Sequence, residues 1–278
     1  MESNYITGYY RRRNKIKMIK HLRLLLLVFF SVQVFAQATK QKTILYIGAH
    51  PDDETAVGEV LVKYARLGYK VHVMIATDGK DGTRVTKIPA GDSLGALRKE
   101  ETRKACRIMG TEPPIFLSRE RLDTKIGVGK YFAEHKKLLD TLKEKIPALH
   151  PDIIITLGPD GDTHHSEHIV VGGTVTELLL RENWVDKYPL YYLAWTKQQA
   201  LSIGVDEIGY VDDPYLNVKI EYSNEDELKA LEAYKSYVTQ YTPEEMDQDH
   251  QNKIKDTNNI LCFRRFVVKK GLQNDFFE

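Results

Sequence analysis

Between Thr43 and about Arg181, short apolar, β-branched runs alternate with stretches of helical periodicity, and that alternation leaves few folds open to the chain. Thr43 to Gly48 (TILYIG) reads as a buried strand that stops at turn-forming residues. From about Thr55 to Leu67 the residues Val57, Leu61, Tyr64 and Ala65 share one helical side, and Gly68 supplies the stop. A strand over Lys70 to Ala76 then runs into a glycine-rich turn, Thr77-Asp78-Gly79-Lys80-Asp81-Gly82. The order returns with a helix from about Ser93 to Met109, closed by Gly110, and a strand at Ile115 to Leu117. It returns again with a helix from about Gly129 to Glu144, a strand at Asp152 to Leu157 and a helix opening near Ser166. Strands alternating with helices pair in parallel through right-handed crossovers. The spacing therefore predicts a three-layer α/β domain on a doubly wound, mostly parallel sheet. After Pro189 the order loosens. Tyr191 to Trp195, Leu216 to Ile220 and Phe266 to Lys269 read as strands, and Ser223 with Asp226 opens a helix to about Tyr241. The C-terminal third is expected to be irregular.

The beginning of the chain has a different character. Arg11, Arg12, Arg13, Lys15, Lys17, Lys20 and Arg23 lead into the apolar run Leu24 to Phe30, which continues less strictly to Ala36. A basic region, an apolar region and a small-residue exit are the parts of a secretory signal peptide. The run falls short of the roughly 20 apolar residues that a membrane-spanning helix needs. Residues 1–36 are thus expected to be a cleaved leader, with the mature chain starting near Gln37, exported to the periplasm or beyond, and carrying no stable membrane span. Met18 is an alternative start that leaves a conventional short basic region. The competing reading is a buried N-terminal helix or an uncleaved anchor. Residues 37–278 form the single expected domain, since no repeat or linker divides them.

Without the leader, Lys+Arg falls from 40 to 33 and Asp+Glu from 39 to 38, a net charge of −5. That balance argues against a nucleic-acid partner. The only cysteines, Cys106 and Cys262, sit in no metal-type spacing. Cys106 falls in the apolar pattern of a helix and reads as a buried thiol, although an oxidising compartment would permit one bridge between the two.

The chemistry gathers at two strand ends. Gly48-Ala49-His50-Pro51-Asp52-Asp53-Glu54 follows the first strand, and Gly158-Pro159-Asp160-Gly161-Asp162-Thr163-His164-His165-Ser166-Glu167-His168 follows the strand at Asp152 to Leu157. In an open α/β sheet the carboxyl ends of the strands carry the ligand site, above all where strand order reverses. Two clusters more than 100 positions apart would then meet in one crevice. A catalytic zinc site uses three imidazole or carboxylate ligands and leaves a position open. His50, one carboxylate from Asp52 or Asp53, and one imidazole of the second cluster meet that count. The remaining carboxylate is free to move protons. His165 and His168 project to the same side of a helix's first turn, so one can bind the ion while the other polarises a carbonyl; His164 competes by spacing alone. The blander reading, acidic residues capping a helix N-terminus, explains Asp52 or Asp53 but not His50 or the second cluster. His72, His135, His150 and His250 lack such a context and read as structural or solvated.

AHPDDE after the first strand and HxxH after a later one resemble the PIG-L/LmbE-like N-acetylglucosaminyl deacetylase family. The turn at Thr77 to Gly82 is similar to the family's turn after its second strand, and Arg98, Glu101, Ala105 and Gly110 resemble its RxxE helix. The resemblance spans roughly Thr43 to Arg181. It implies a Rossmann-like fold, a bound Zn2+ with Fe2+ as the other candidate, and removal of N-acetyl groups from small or oligosaccharide amino-sugar substrates. On matching positions it makes His50, Asp53 and His168 the metal ligands, Asp52 the general base and His165 the carbonyl-polarising residue. Asp78, Lys80 and Arg98 become the candidates for substrate contacts. Two places depart from the family pattern. The usual HPDH is His165-Ser166-Glu167-His168 here, and a later helix that often carries His and Gln has Tyr234 and Tyr237.

Three other readings compete. A nucleotide-binding module suits the core, but GAHPDDE is no GxGxxG. A mononuclear iron oxygenase suits two histidines and a carboxylate, yet such enzymes usually use all-β barrels. A non-catalytic sugar-binding protein of the same fold would bind ligand without turnover.

Overall fold

The computed structural model describes residues 41–203, 209–255 and 258–277. The leader read from residues 1–36 lies outside them. Strand β1 (Thr43–Gly48) is buried along its whole length. A 3-10 turn, Asp53–Val57, and helix α1 (Gly58–Arg66) lead to β2 (Lys70–Thr77). Helix α2 (Asp92–Met109), β3 (Ile115–Arg119), helix α3 (Val128–Leu149), β4 (Ile153–Thr156), helix α4 (Ser166–Arg181) and β5 (Leu190–Ala194) complete the regular part. Helix α5 (Lys197–Ile203), β6 (Val218–Glu221), α6 (Asn224–Tyr234), α7 (Pro243–Lys255) and β7 (Ile260–Arg265) follow.

Among the described residues seven strands form one sheet in the order β3-β2-β1-β4-β5-β7-β6. The first five pair in parallel, and β7 lies antiparallel between β5 and β6. Strand order reverses at β1, which has β2 on one side and β4 on the other, so the expected crevice opens between the carboxyl ends of β1 and β4. Alternation within the strands supplies two cores. Ile44, Tyr46, Val71, Val73 and Ile75 face α1, α2 and α6, meeting Cys106, Met109, Ala230 and Ala233. Leu45, Ile47, Met74 and Ile154 face α3 and α4, meeting Leu138, Leu142, Val175 and Leu178. Three layers result. Leu138, Leu142 and Ile146 recur every fourth residue and are fully buried, which carries α3 beyond the expected stop at Glu144.

The C-terminal third corrects several expectations. The strand read at Phe266 to Lys269 is instead β7, Ile260–Arg265, because Tyr191 to Ala194 find their partners there. Phe266 gives the last ladder bond, to the Leu190 carbonyl, and Val267 is 70% exposed despite its β-branched neighbours. The helix expected to reach Tyr241 stops at Tyr234, and α5 and α7 lie where no helix was expected. Cys106 and Cys262 are both buried, in different core clusters, and no disulfide joins them.

Helix α6 starts as Ser223 and Asp226 imply. Asp226 accepts from the Ser223 N–H at 2.9 Å and hydroxyl at 2.7 Å, while its own N–H donates to Ser223 Oγ at 3.2 Å. Its carboxylate also takes two 2.9 Å bonds from Arg66, tying α6 to α1. Burial alone would raise the Asp226 carboxyl, but Arg66 and Ser223 outweigh it and hold it down at about 2. The stabilisation is therefore full above the unfolded carboxyl value of about 3.9 and is lost as pH falls through about 2. Asp226→Ala is expected to cost about 2 kcal/mol at neutral pH, read by urea denaturation. The deficit against wild type should shrink as the medium approaches pH 2.

Candidate active site

After β1 the chain turns sharply, and one carboxylate holds the turn. Asp53 Oδ2 accepts from the Ala49 N–H at 2.6 Å and the His50 N–H at 2.9 Å, leaving Oδ1 to face the second cluster. There a strained segment, with Asp162 at φ 61° and His164 at φ 56°, delivers the chain to α4. His168, on the first turn of α4, puts Nε2 3.1 Å from Asp53 Oδ1 and 3.2 Å from His50 Nδ1. His50 Nδ1 is 3.6 Å from the same Asp53 oxygen.

This triangle fits a cation. Tetrahedral zinc, with bonds of about 2.0 to 2.2 Å, sets its ligand atoms roughly 3.3 to 3.5 Å apart. The outward nitrogens fix which lone pairs face inward. His168 Nδ1 lies 2.9 Å from the Gly161 carbonyl, which can only accept, so that nitrogen carries the proton. His50 Nε2 lies 2.9 Å from Glu167 Oε2, the carboxylate–imidazole arrangement common behind metal-bound histidines. Glu167 is anchored in turn by the Leu122 N–H at 2.6 Å. Burial opposes charge on both rings, yet Asp53 outweighs it for each, helped by Glu167 at His50. His50 is pushed up to about 10 and His168 upward. Asp53, despite its own burial, is held well below the usual range by the two imidazoles. The pocket favours positive charge, so protons and a metal ion compete for the same lone pairs. A looser group, one ring nitrogen each from His50, His165 and His168, falls within 4.8 Å. The His50–Asp53–His168 triangle is the tighter of the two.

Asp52 stands apart from the triangle. Its φ of 114° is rare for a residue with a side chain, and it turns Asp52 and Asp53 to different tasks. Asp52 Oδ2 accepts from the Tyr241 hydroxyl at 3.0 Å. Burial and the neighbouring Asp53 charge push its carboxyl up to about 7, within the working range of a general base. The last motif residue, Glu54, is fully buried between the Asp52 N–H and the Tyr237 hydroxyl and serves as a brace. His165 caps α4: its Nδ1 accepts from the Glu167 N–H at 3.3 Å. Burial and the two neighbouring imidazoles press its pKa down to about 4, so the ring is neutral with its proton on Nε2, ready to donate.

These residues line a cavity of about 860 Å3. Asp78, Lys80 and Arg98 line it too, but each already has partners. Asp78 pairs with Lys99 at 2.8 Å, and Lys80 reaches Glu120 at 3.3 Å and Asp92 at 3.8 Å. Arg98, 5% exposed, is a clamp: it donates to the Gly79 carbonyl at 2.5 Å, to that of Gly82 at 2.8 Å and to the Gln240 side chain. A Cβ on Gly82 would sit 2.6 Å from the guanidinium, which is why the turn needs glycine there. His164 belongs to neither the donor group nor the cavity wall. His250, read from sequence as structural or solvated, lies on the wall. Sequence reasoning also missed the bracing roles of Glu167, Glu54, Gln240 and Tyr241. Only Glu167 had a local signal, the changed position between the two histidines.

A family model described as PIG-L, GlcNAc-PI de-N-acetylase, matches residues 45–179. The chain carries a PIG-L family domain. The match runs from within β1 into α4, so both donor clusters and the Arg98 clamp are inside the PIG-L region. The 1D-myo-inositol 2-acetamido-2-deoxy-alpha-D-glucopyranoside deacetylase of Mycolicibacterium vanbaalenii is 27% identical over 194 residues, covering 64% of this chain and 68% of that one. Among solved structures, the N,N'-diacetylchitobiose deacetylase from Pyrococcus horikoshii superposes with a TM-score of 0.55 at 18% identity, covering 82% of this chain and 84% of that one. GalB, a 4-carboxy-2-hydroxymuconate hydratase from Pseudomonas putida KT2440, superposes at 0.58 with 14% identity, over 84% and 100% of the two chains. The PIG-L domain thus shares its fold with enzymes of different reactions, and the site must decide the chemistry.

Proposed function

We propose that this PIG-L domain is a zinc-dependent amide hydrolase that removes an N-acetyl group from a glucosamine-containing substrate. The observation that carries the reading is the division of labour at the strand ends. Three donor atoms 3.1 to 3.6 Å apart converge on one point, while the adjacent Asp52 carboxylate is left out of them. The deacetylase relative and the deacetylase structural neighbour support the same reaction class. Zinc, when bound by His50, Asp53 and His168, supplies Lewis acidity and a water pKa lowered to about 7. Fe2+ suits the same donors.

The remaining steps belong to the chain's own side chains. Asp52 takes a proton from the attacking water and returns one to the departing amine nitrogen, which would otherwise leave as a poor anion. His165, neutral and donating through Nε2–H, stabilises the negative charge that develops on the carbonyl oxygen. Water adds to the amide carbon, the C–N bond breaks, and a carboxylate and an amine leave. The metal-loaded chain should release free amine and acetate in equal amounts from one or more of a panel of N-acetylated sugars. Binding of the sugars without amine release after reconstitution would identify a non-catalytic sugar-binding protein.

The proposal extends to location. Residues 1–36 read as a leader, and among the described residues no helix is long and apolar enough to cross a membrane. Intact-mass analysis of the expressed full chain should find a start near Gln37. A product retaining Met1 or Met18 would contradict export.

A further inference from the structure

Between β4 and α4, Gly161, Asp162 and His164 have positive φ, at 68°, 61° and 56°. At Asp162 a ψ of −73° makes this the rare, strained form of γ-turn. A residue with a side chain keeps such a conformation only where its surroundings over-determine it. Here three bonds do so. The Asp162 carbonyl accepts from the Gly209 N–H at 2.8 Å, its N–H donates to Asp160 Oδ1 at 3.1 Å, and its carboxylate Oδ1 accepts from the Trp195 indole N–H at 2.5 Å. Trp195, just beyond β5 and outside the PIG-L match, is itself fixed. It packs against the core beneath α1 and α2, pairs with Tyr210, and gives its carbonyl to the Val211 N–H at 2.9 Å. His165, three residues beyond Asp162, has less to hold it. It is exposed, and a 3.3 Å cap bond with two ring contacts at 4.8 Å are soft restraints. His168, by contrast, is buried on α4 beside Asp53.

We propose that Trp195 is a positioning residue for the reaction: by holding the Asp162 carboxylate, it locks the turn that sets where the His165 imidazole stands. What His165 does there rests on the deacetylase reading; where its ring stands does not. An oxyanion donor must be held within about 0.5 Å of its working place, and an exposed ring on a strained segment meets that demand only if the segment is tied down. The tie comes from the far end of β5, so the C-terminal part of the chain reaches the second histidine cluster through a single indole N–H.

The test removes the indole N–H and little else. Zinc-loaded full-length Trp195→Phe keeps a ring against the core, should keep its metal, and should lose about 10- to 100-fold in kcat, the cost of a displacement of about 1 Å. Asp162→Ala should match it, whereas Asp162→Asn, which keeps an oxygen for Trp195 and tolerates a positive φ, should stay within about threefold of wild type. Thermal melting confirms that each variant is folded. In the His165→Ala background Trp195→Phe should cost no more than about twofold, because residues that act as one unit are not additive. An equal loss in both backgrounds, as a direct substrate contact would give, near-normal turnover in Trp195→Phe, or loss of its zinc would overturn the proposal. Crystal structures read the placement without turnover: in Trp195→Phe the His165 ring should move by about 1 Å or more while His50, Asp53 and His168 stay in place. An unmoved His165 would overturn the proposal even if activity fell. Absence of amine release by the wild-type chain would count against the deacetylase reading alone, and the crystal comparison would still decide what places His165.

Discussion

Asp52→Asn is expected to keep its zinc and to lose activity by about 10²- to 10⁴-fold in kcat, the usual worth of general acid–base assistance. Asparagine is the right probe for this position. It tolerates a positive φ better than other residues with side chains, so the 114° backbone of Asp52 survives, and its oxygen still accepts from Tyr241. What is lost is the ability to take a proton. Bound metal should be unchanged, because Asp53 and not Asp52 belongs to the donor triangle. Near-normal turnover in this variant would remove Asp52 from the mechanism.

The second large effect concerns the donors. His50→Ala, Asp53→Asn and His168→Ala should each fall from about one zinc per chain to a small fraction of that in elemental analysis, with amine release dropping to background. Asparagine is preferred at Asp53 because Oδ2 also holds the Ala49 and His50 N–H groups, and alanine would release the turn as well as the ion. His165→Ala should keep its metal and lose roughly 10²- to 10³-fold in turnover, the effect of removing one oxyanion donor. The reverse pattern, with metal lost from His165→Ala and kept in His168→Ala, would exchange the two imidazoles and favour the looser three-histidine group. Behind the ligands, Glu167→Gln removes the negative charge facing His50 while keeping an oxygen for the Leu122 N–H, and should weaken zinc binding by about 10- to 100-fold.

The legible part of this chain is the part in which local pattern and tertiary demand agree. Strands β1, β2 and β4 show themselves because each is a short run rich in β-branched residues that ends in turn residues, while β3 and β5 are carried by apolar and aromatic side chains. Their parallel order follows from the helices between them. The site was legible for the same reason: β1 and β4 flank the point where strand order reverses, so motifs past their ends had to meet. The C-terminal third obeys longer-range constraints. The periodicity from Ser223 to Tyr241 suits one helix, yet the chain leaves that geometry after Tyr234. The bonds it gains are Tyr237 to Glu54, Thr239 to Glu101, Gln240 to Pro51 and Tyr241 to Asp52. These partners are 138 to 189 residues away, and no local signal announces them. Phe266 to Lys269 misleads in the opposite sense: beyond the Phe266 bond to Leu190, these strand-forming residues belong to no strand among the described residues.

Titration of the metal-stripped chain with zinc, following amine release from an N-acetylated amino sugar alongside bound metal, tests the central claim most directly. Activity should rise in proportion to occupancy, reach its plateau at one ion per chain, and fail to rise in His168→Ala over the same range. Amine release that persists in the stripped protein, or a plateau unrelated to binding at His50, Asp53 and His168, would contradict it.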